Sequence, residues 1–186
     1  MHPYLHARTT PDKPALIMAG SGEQLTYREL DDRSNQGAQL FRSIGLKPGD
    51  GIAFFIENHP RYYELLWAAQ RAGLRFTCLS SKLSVDEVAY ILGDCHAKAF
   101  VTTPALMAIA APAAAAAGCS NRYVLGAAQG DFADFEAARA AFPATPIADE
   151  VAGSAMLYSS GTTGRPKGVK RAGVVDPDIA APNTLG

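Results

Sequence analysis

Cysteine is scarce in this sequence. The three present, Cys78, Cys95 and Cys119, are an odd number with no C-x-x-C spacing and no histidine pair of the zinc-binding kind nearby. That argues against a disulfide framework and a metal centre, and leaves reduced thiols in a cytoplasmic protein. An excess of charge of one sign is missing too: 17 Lys and Arg stand against 18 Asp and Glu, a formal net charge of -1. Nothing in that balance asks for nucleic acid or an anionic membrane as a partner. Long apolar runs are absent as well. A membrane span needs about 20 strongly apolar residues, whereas the richest stretch, A-L-M-A-I-A-A-P-A-A-A-A-A-G at 105–118, is mostly alanine and contains Pro112. It is expected to form a small-residue helix packed on the surface of the fold. The opening M-H-P-Y-L-H-A-R-T-T-P-D-K-P has no apolar core behind a positive start, and prolines interrupt it, so it does not read as a secretory signal.

What remains is the composition of an ordinary globular protein, 48% hydrophobic and 19% charged over 186 residues, enough for one good core or part of a larger domain. Short apolar runs suited to buried strands fall at 51–56, 74–79, 97–102, 122–125 and 154–158. Helical signals lie between them, and strands alternating with helices predict an α/β fold with a largely parallel sheet. The spacing predicts a helix over 27–44. Thr26 and Glu29 form a capping box in which each side chain takes up an otherwise unpaired backbone N–H. Leu30, Ser34, Gly37, Ala38, Phe41 and Ile44 share one face, and Gly45 supplies a left-handed stop. Ser84 and Glu87 repeat the box for a helix ending near Gly93. Asn58 and Pro60 are expected to open a third helix, carrying Tyr63, Leu66 and Trp67 and closing at Gly73. A helix over 132–141 is also predicted, and after Arg171 no periodicity survives.

The most chemically loaded segment is S-S-G-T-T-G-R-P-K-G at 159–168, with three glycines, four hydroxyls, an arginine and a lysine directly after a predicted strand. Glycines let backbone N–H groups converge without Cβ obstruction, and the hydroxyls of Ser159, Ser160, Thr162 and Thr163 can donate to anionic oxygens. Lys167 adds a positive charge at the rim, so the segment reads as a phosphate cradle. It is not a Walker A loop. From Gly161 the lysine arrives at the right spacing, but Pro166 takes the second glycine, and Gly168 replaces the Ser or Thr that would hold magnesium. Pro166 pushes its predecessor away from helical geometry, which predicts strand, loop, strand. A Rossmann dinucleotide site is disfavoured, since no G-x-G-x-x-G follows a strand.

Y-S-S-G-T-T-G-R-P-K-G resembles the signature phosphate-binding loop of the adenylate-forming enzymes: acyl-CoA synthetases, the adenylation domains of peptide synthetases, and luciferases. Residues 25–50, L-T-Y-R-E-L through L-K-P-G-D, are similar to the opening of that family's large N-terminal domain. N-H-P-R-Y-Y-E-L-L-W-A-A-Q-R-A-G and L-S-V-D-E-V-A-Y-I-L-G-D fit it too, and the likeness runs to about residue 170. The resemblance implies that residues 1–171 are the N-terminal part of an AMP-binding domain, with 172–186 a loop or truncated continuation. It implies ATP, Mg2+ and coenzyme A, and a two-step activation of a small-molecule carboxylic acid through an acyl adenylate. By the same resemblance, Ser159, Ser160, Gly161, Thr162, Thr163, Gly164 and Lys167 hold the ATP β- and γ-phosphates.

The family continues for several hundred residues beyond this loop, through a Y-G-x-T-E type motif and a C-terminal catalytic lysine, and neither is found here. The 186 residues therefore read as an N-terminal piece of an acyl-CoA synthetase, expected to lack turnover alone. No residue is a candidate acid, base or nucleophile; His59 and His96 are expected to be solvated or capping. G-V-K-R after the loop leans the substrate toward fatty or bulky acids. Aryl or amino-acid activation, and a non-catalytic truncated module that binds nucleotide or a protein partner, stay open. Gly51 stands where the family commonly carries a charged residue and is expected to be a surface change without consequence.

Overall fold

In the computed structural model, which describes residues 2–159, 166–170 and 178–179, the expected alternation of strands and helices is present. The chain runs α1 (Pro3–Thr9), β1 (Pro14–Ile17), β2 (Gln24–Thr26), α2 (Tyr27–Ser43), β3 (Gly51–Phe55), α3 (Tyr62–Arg71), β4 (Arg75–Leu79) and α4 (Val85–Asp94). It continues with β5 (Ala97–Thr102), α5 (Met107–Ala116), β6 (Asn121–Val124), β7 (Ala133–Asp134), α6 (Phe135–Ala140), β8 (Ser154–Ser159) and β9 (Lys167–Lys170). β1 and β2 form a separate hairpin, and the main sheet has the order β7-β6-β5-β3-β4-β8-β9. All its pairings are parallel except β8 with β9.

The strands are apolar on both faces because the sheet is covered on both. In β3, Ile52 and Phe54 point into one core with Phe41, Leu65 and Phe76, while Ala53 and Phe55 point into another with Val88, Ile91 and Phe100. Such continuous apolar runs are what a parallel strand buried between helix layers requires. Both capping boxes form: Glu29 N donates to Thr26 Oγ1 at 3.2 Å and Glu87 N to Ser84 Oγ at 3.4 Å, with the reciprocal bonds made. Gly45 takes φ 85° and stops α2. Gly37 lets α2 approach α3, since a Cβ there would lie 2.7 Å from that of Ala68. The alanine run becomes α5 with Pro112 inside it, and Ala110, Ala113 and Ala114 are fully buried against the second core.

Three local expectations are corrected. Asn58 and Pro60 do not open α3, whose N-cap is Arg61 with no side-chain cap bond. α4, by contrast, ends at Asp94, beside Gly93 as expected, and the left-handed residue that follows it is His96, at φ 52°. The helix expected from 132 begins at Phe135, capped by Asp134, because residues 133–134 pair with β6 as β7 instead. Gly51 is no surface position. It is buried at the start of β3, where a Cβ would meet the carbonyl oxygens of Cys95 at 2.5 Å and His96 at 2.8 Å.

Two polar clusters tie the helices together. Glu64 is 2% exposed. Its Oε1 accepts from Arg33 Nη1 at 2.9 Å and Arg61 Nη1 at 3.4 Å, and its Oε2 lies 3.3 Å from Arg139 Nη2. One carboxylate thus joins α2, α3 and α6. Burial raises its pKa above the ordinary carboxylate range, opposed by Arg33, Arg139 and Arg61.

At the N-terminus His2 is fully buried, edge-on to Trp67, and its Nδ1 accepts from Tyr4 N at 3.3 Å. Burial, then the nearby Arg71 guanidinium, lowers its pKa from 6.5 to about 3. The folded protein therefore holds His2 neutral over a range in which the unfolded chain takes up a proton. Stability is expected to be full above the unfolded pKa near 6.5 and to be lost as pH falls toward 3. Urea midpoints measured across that window should show the loss, and His2→Phe should abolish this component. An unchanged acid limb in the variant would contradict the assignment.

Candidate phosphate-loop site

β8 enters the sheet through a tight point. Gly153 N donates to Gln70 O at 2.6 Å, and a Cβ on Gly153 would fall 2.5 Å from Leu74 O and 2.9 Å from Ala69 O. Only a glycine brings the strand this close. β8 then pairs with β4 through Ser154 and Ala155 alone, and its remaining residues are held by β9. Met156 is buried in the second core, and Tyr158 packs against that core with its hydroxyl donating to the carboxylate of Asp94 at the end of α4. The strand, loop, strand reading is borne out for the two strands.

The register sets the neck of the loop. Ser159 pairs with Lys167, Tyr158 with Gly168, Leu157 with Val169 and Met156 with Lys170. Ser159 and Lys167 are thus brought directly opposite one another, and both are exposed. Ser160, Gly161, Thr162, Thr163 and Gly164 lie outside the described residues. Ser159 offers a hydroxyl and Lys167 an ammonium group at the same level of the hairpin, a pairing suited to phosphate oxygens. Among the described residues no group of three His, Cys, Asp or Glu is placed to hold a metal ion.

A second opening lies at the carboxyl ends of β3 and β4. The chain passes from β3 to β4 on one side and then crosses back to β5 on the other, so the strand order reverses at β3. Ligands of open α/β sheets bind outside the carboxyl ends at such a reversal. Here a groove of about 820 Å³ is lined by Ile17, Glu57, His59, Tyr62, Tyr63 and Ser80, among others. His59 Nδ1 accepts from Arg61 N at 3.2 Å, and burial, opposed by Glu57, lowers its pKa. It is a local backbone acceptor, while His96 turns the chain after α4. The groove carries no sequence motif. Its only signal in the sequence is the polar E-N-H and S-S that follow two buried strands.

A sequence profile described as AMP-binding enzyme matches residues 4–172. The chain belongs to the AMP-binding enzyme family. It is 37% identical over 167 residues to feruloyl-CoA synthase from Amycolatopsis sp, covering 89% of this chain and 31% of that protein. It is 33% identical over 173 residues to long-chain fatty acid transport protein 1 from Mus musculus, covering 87% and 27%. The fold superimposes on a benzoate CoA ligase from Burkholderia xenovorans LB400 with a TM-score of 0.73 and 26% identity, over 89% of this chain and 32% of that one. The chain thus spans about a third of the length of the relatives it matches. Among the described residues no helix is long and apolar enough to cross a membrane.

Proposed function

We propose that residues 1–171 are the N-terminal part of the adenylation domain of an ATP-dependent acid–thiol ligase, with 172–186 a loop or the start of a continuation. The observation that carries this reading is the ordered segment Y-S-S-G-T-T-G-R-P-K-G, whose neck pairs Ser159 with Lys167. In the reaction, an oxygen of the substrate carboxylate bonds to the α-phosphorus of ATP, and the bond to pyrophosphate breaks. The coenzyme A thiolate then bonds to the acyl carbon, and AMP leaves.

The work of this segment is electrostatic. The ammonium of Lys167 and the hydroxyl of Ser159, with Ser160, Gly161, Thr162, Thr163 and Gly164 between them, hold the β- and γ-phosphates and stabilise the charge that develops on departing pyrophosphate. The free thiols Cys78, Cys95 and Cys119 fit a cytoplasmic setting, and the 186 residues alone are proposed to be inactive.

A fatty acid is the favoured substrate, from the G-V-K-R that follows the loop and the likeness to a long-chain fatty acid transport protein. The higher identity to feruloyl-CoA synthase favours an aryl acid as the second reading. The test is product analysis with ATP, coenzyme A and a panel of fatty and aryl acids, using the full-length polypeptide that carries these residues. The expected products are one acyl-CoA, AMP and pyrophosphate. ADP and inorganic phosphate in their place would overturn the reading, and the acid consumed decides between the two substrates.

A further inference from the structure

Tyr158 is the last residue before the loop's first hydroxyl, and three observations give its side chain a task. Its cross-strand partner is Gly168, where a Cβ would lie 2.5 Å from Cε of Met156 and 3.0 Å from both Cζ and Oη of Tyr158. The ring therefore lies across β9 in the space that the missing side chain leaves. Its hydroxyl is held by the Asp94 carboxylate on α4. On the opposite face of the hairpin, Leu157 and Val169 are 65% and 59% exposed, so among the described residues the side-chain packing of the hairpin lies on the Tyr158 face.

Side chains alternate along a strand, so a slip of one residue moves every group to the other face. Tyr158 and Gly168 sit on the face turned toward α4, whereas Ser159 and Lys167 sit on the open face. We propose that Tyr158, seated on Gly168 and held by Asp94, is a positioning residue that sets the register of the loop's neck and so keeps Ser159 and Lys167 opposed for phosphate. The inference rests on the phosphate-binding reading of the loop. It also gives Gly168, which fills no role in the Walker-type comparison, a steric reason to be glycine.

The test compares variants of the full-length polypeptide in acid-dependent ATP–pyrophosphate exchange, with Lys167→Ala measured alongside. Tyr158→Phe keeps the ring and removes the hydroxyl; Asp94→Leu removes the acceptor, and Asp94→Asn retains one. Tyr158→Phe and Asp94→Leu are each expected to raise KM for ATP by about 3- to 10-fold, the effect of losing one hydrogen bond to a charged acceptor at a partly exposed site. KM for the acid, and thioester formation from preformed acyl adenylate, should stay at wild-type values, and Asp94→Asn should restore most of the ATP affinity. Gly168→Val should exceed both, and the exposed Asp94 site keeps the test valid if that variant does not fold. Wild-type KM for ATP in Tyr158→Phe and Asp94→Leu, beside an impaired Lys167→Ala, would overturn the positioning role alone. An unimpaired Lys167→Ala would overturn the phosphate reading and this inference together.

Discussion

Lys167→Ala is expected to slow acid-dependent ATP–pyrophosphate exchange by about 100- to 1,000-fold, the usual effect of removing one preorganised donor from developing charge. The second half-reaction, thioester formation from preformed acyl adenylate, should change little, because pyrophosphate has already left. The reason lies in the hairpin. Lys167 is the first residue of β9, opposite Ser159 at the neck, and exposed on the open face, where its charge is free to meet a polyanion. Single-turnover measurements of the two half-reactions separate the outcomes. Equal losses in both would contradict a role on the pyrophosphate side.

Glu64→Gln is expected to lower the stability of the fold by about 3 kcal/mol, in the range found when one partner of a buried ionic cluster is removed. At a chain length near this one, that corresponds to roughly 6–12 °C in melting temperature. The carboxylate is buried and meets Arg33 of α2, Arg61 at the N-cap of α3 and Arg139 of α6, and a neutral amide leaves those guanidinium groups facing one another. Arg139 suffers most, since it is itself 7% exposed and burial already lowers its pKa. Arg61 retains Glu23 at 3.1 Å and Glu136 at 3.0 Å, so the loss should fall mainly at the contact between α3 and α6. Thermal and urea unfolding of wild type and variant check the value. A melting temperature within a degree of wild type would show that the cluster is solvated rather than buried.

What could be read in the sequence was what is local. The boxes at Thr26–Glu29 and Ser84–Glu87 are complete within four residues, so neither needed knowledge of the fold. The buried strands announce themselves as continuous apolar runs because both faces of the sheet are covered. Gly51 was misread for the opposite reason: its constraint is the backbone of Cys95 and His96, more than 40 residues along the chain. The opening of α3 was misread because Asn58 and Pro60 carry start signals, yet the chain spends Asn58 and His59 on the lip of the groove and the helix begins only at Tyr62. The reversal of strand order at β3, and hence the groove, follows from packing that no local pattern encodes.

At the candidate site the motif named the residues but not what supports them. Ser159 and Lys167 were legible from composition and order. The seat of Tyr158 on Gly168 and the hold of Asp94 join residues 74 positions apart, and their only trace in the sequence is a glycine where a Walker loop has Ser or Thr.

The central claim is that this segment belongs to a machine that activates an acid by adenylation. The most direct measurement is exchange of labelled pyrophosphate into ATP by the full-length polypeptide, with and without a carboxylic acid. The account predicts label in ATP only when the acid is present, and its loss in Lys167→Ala. Exchange that is independent of acid, or release of ADP with no exchange, would contradict it.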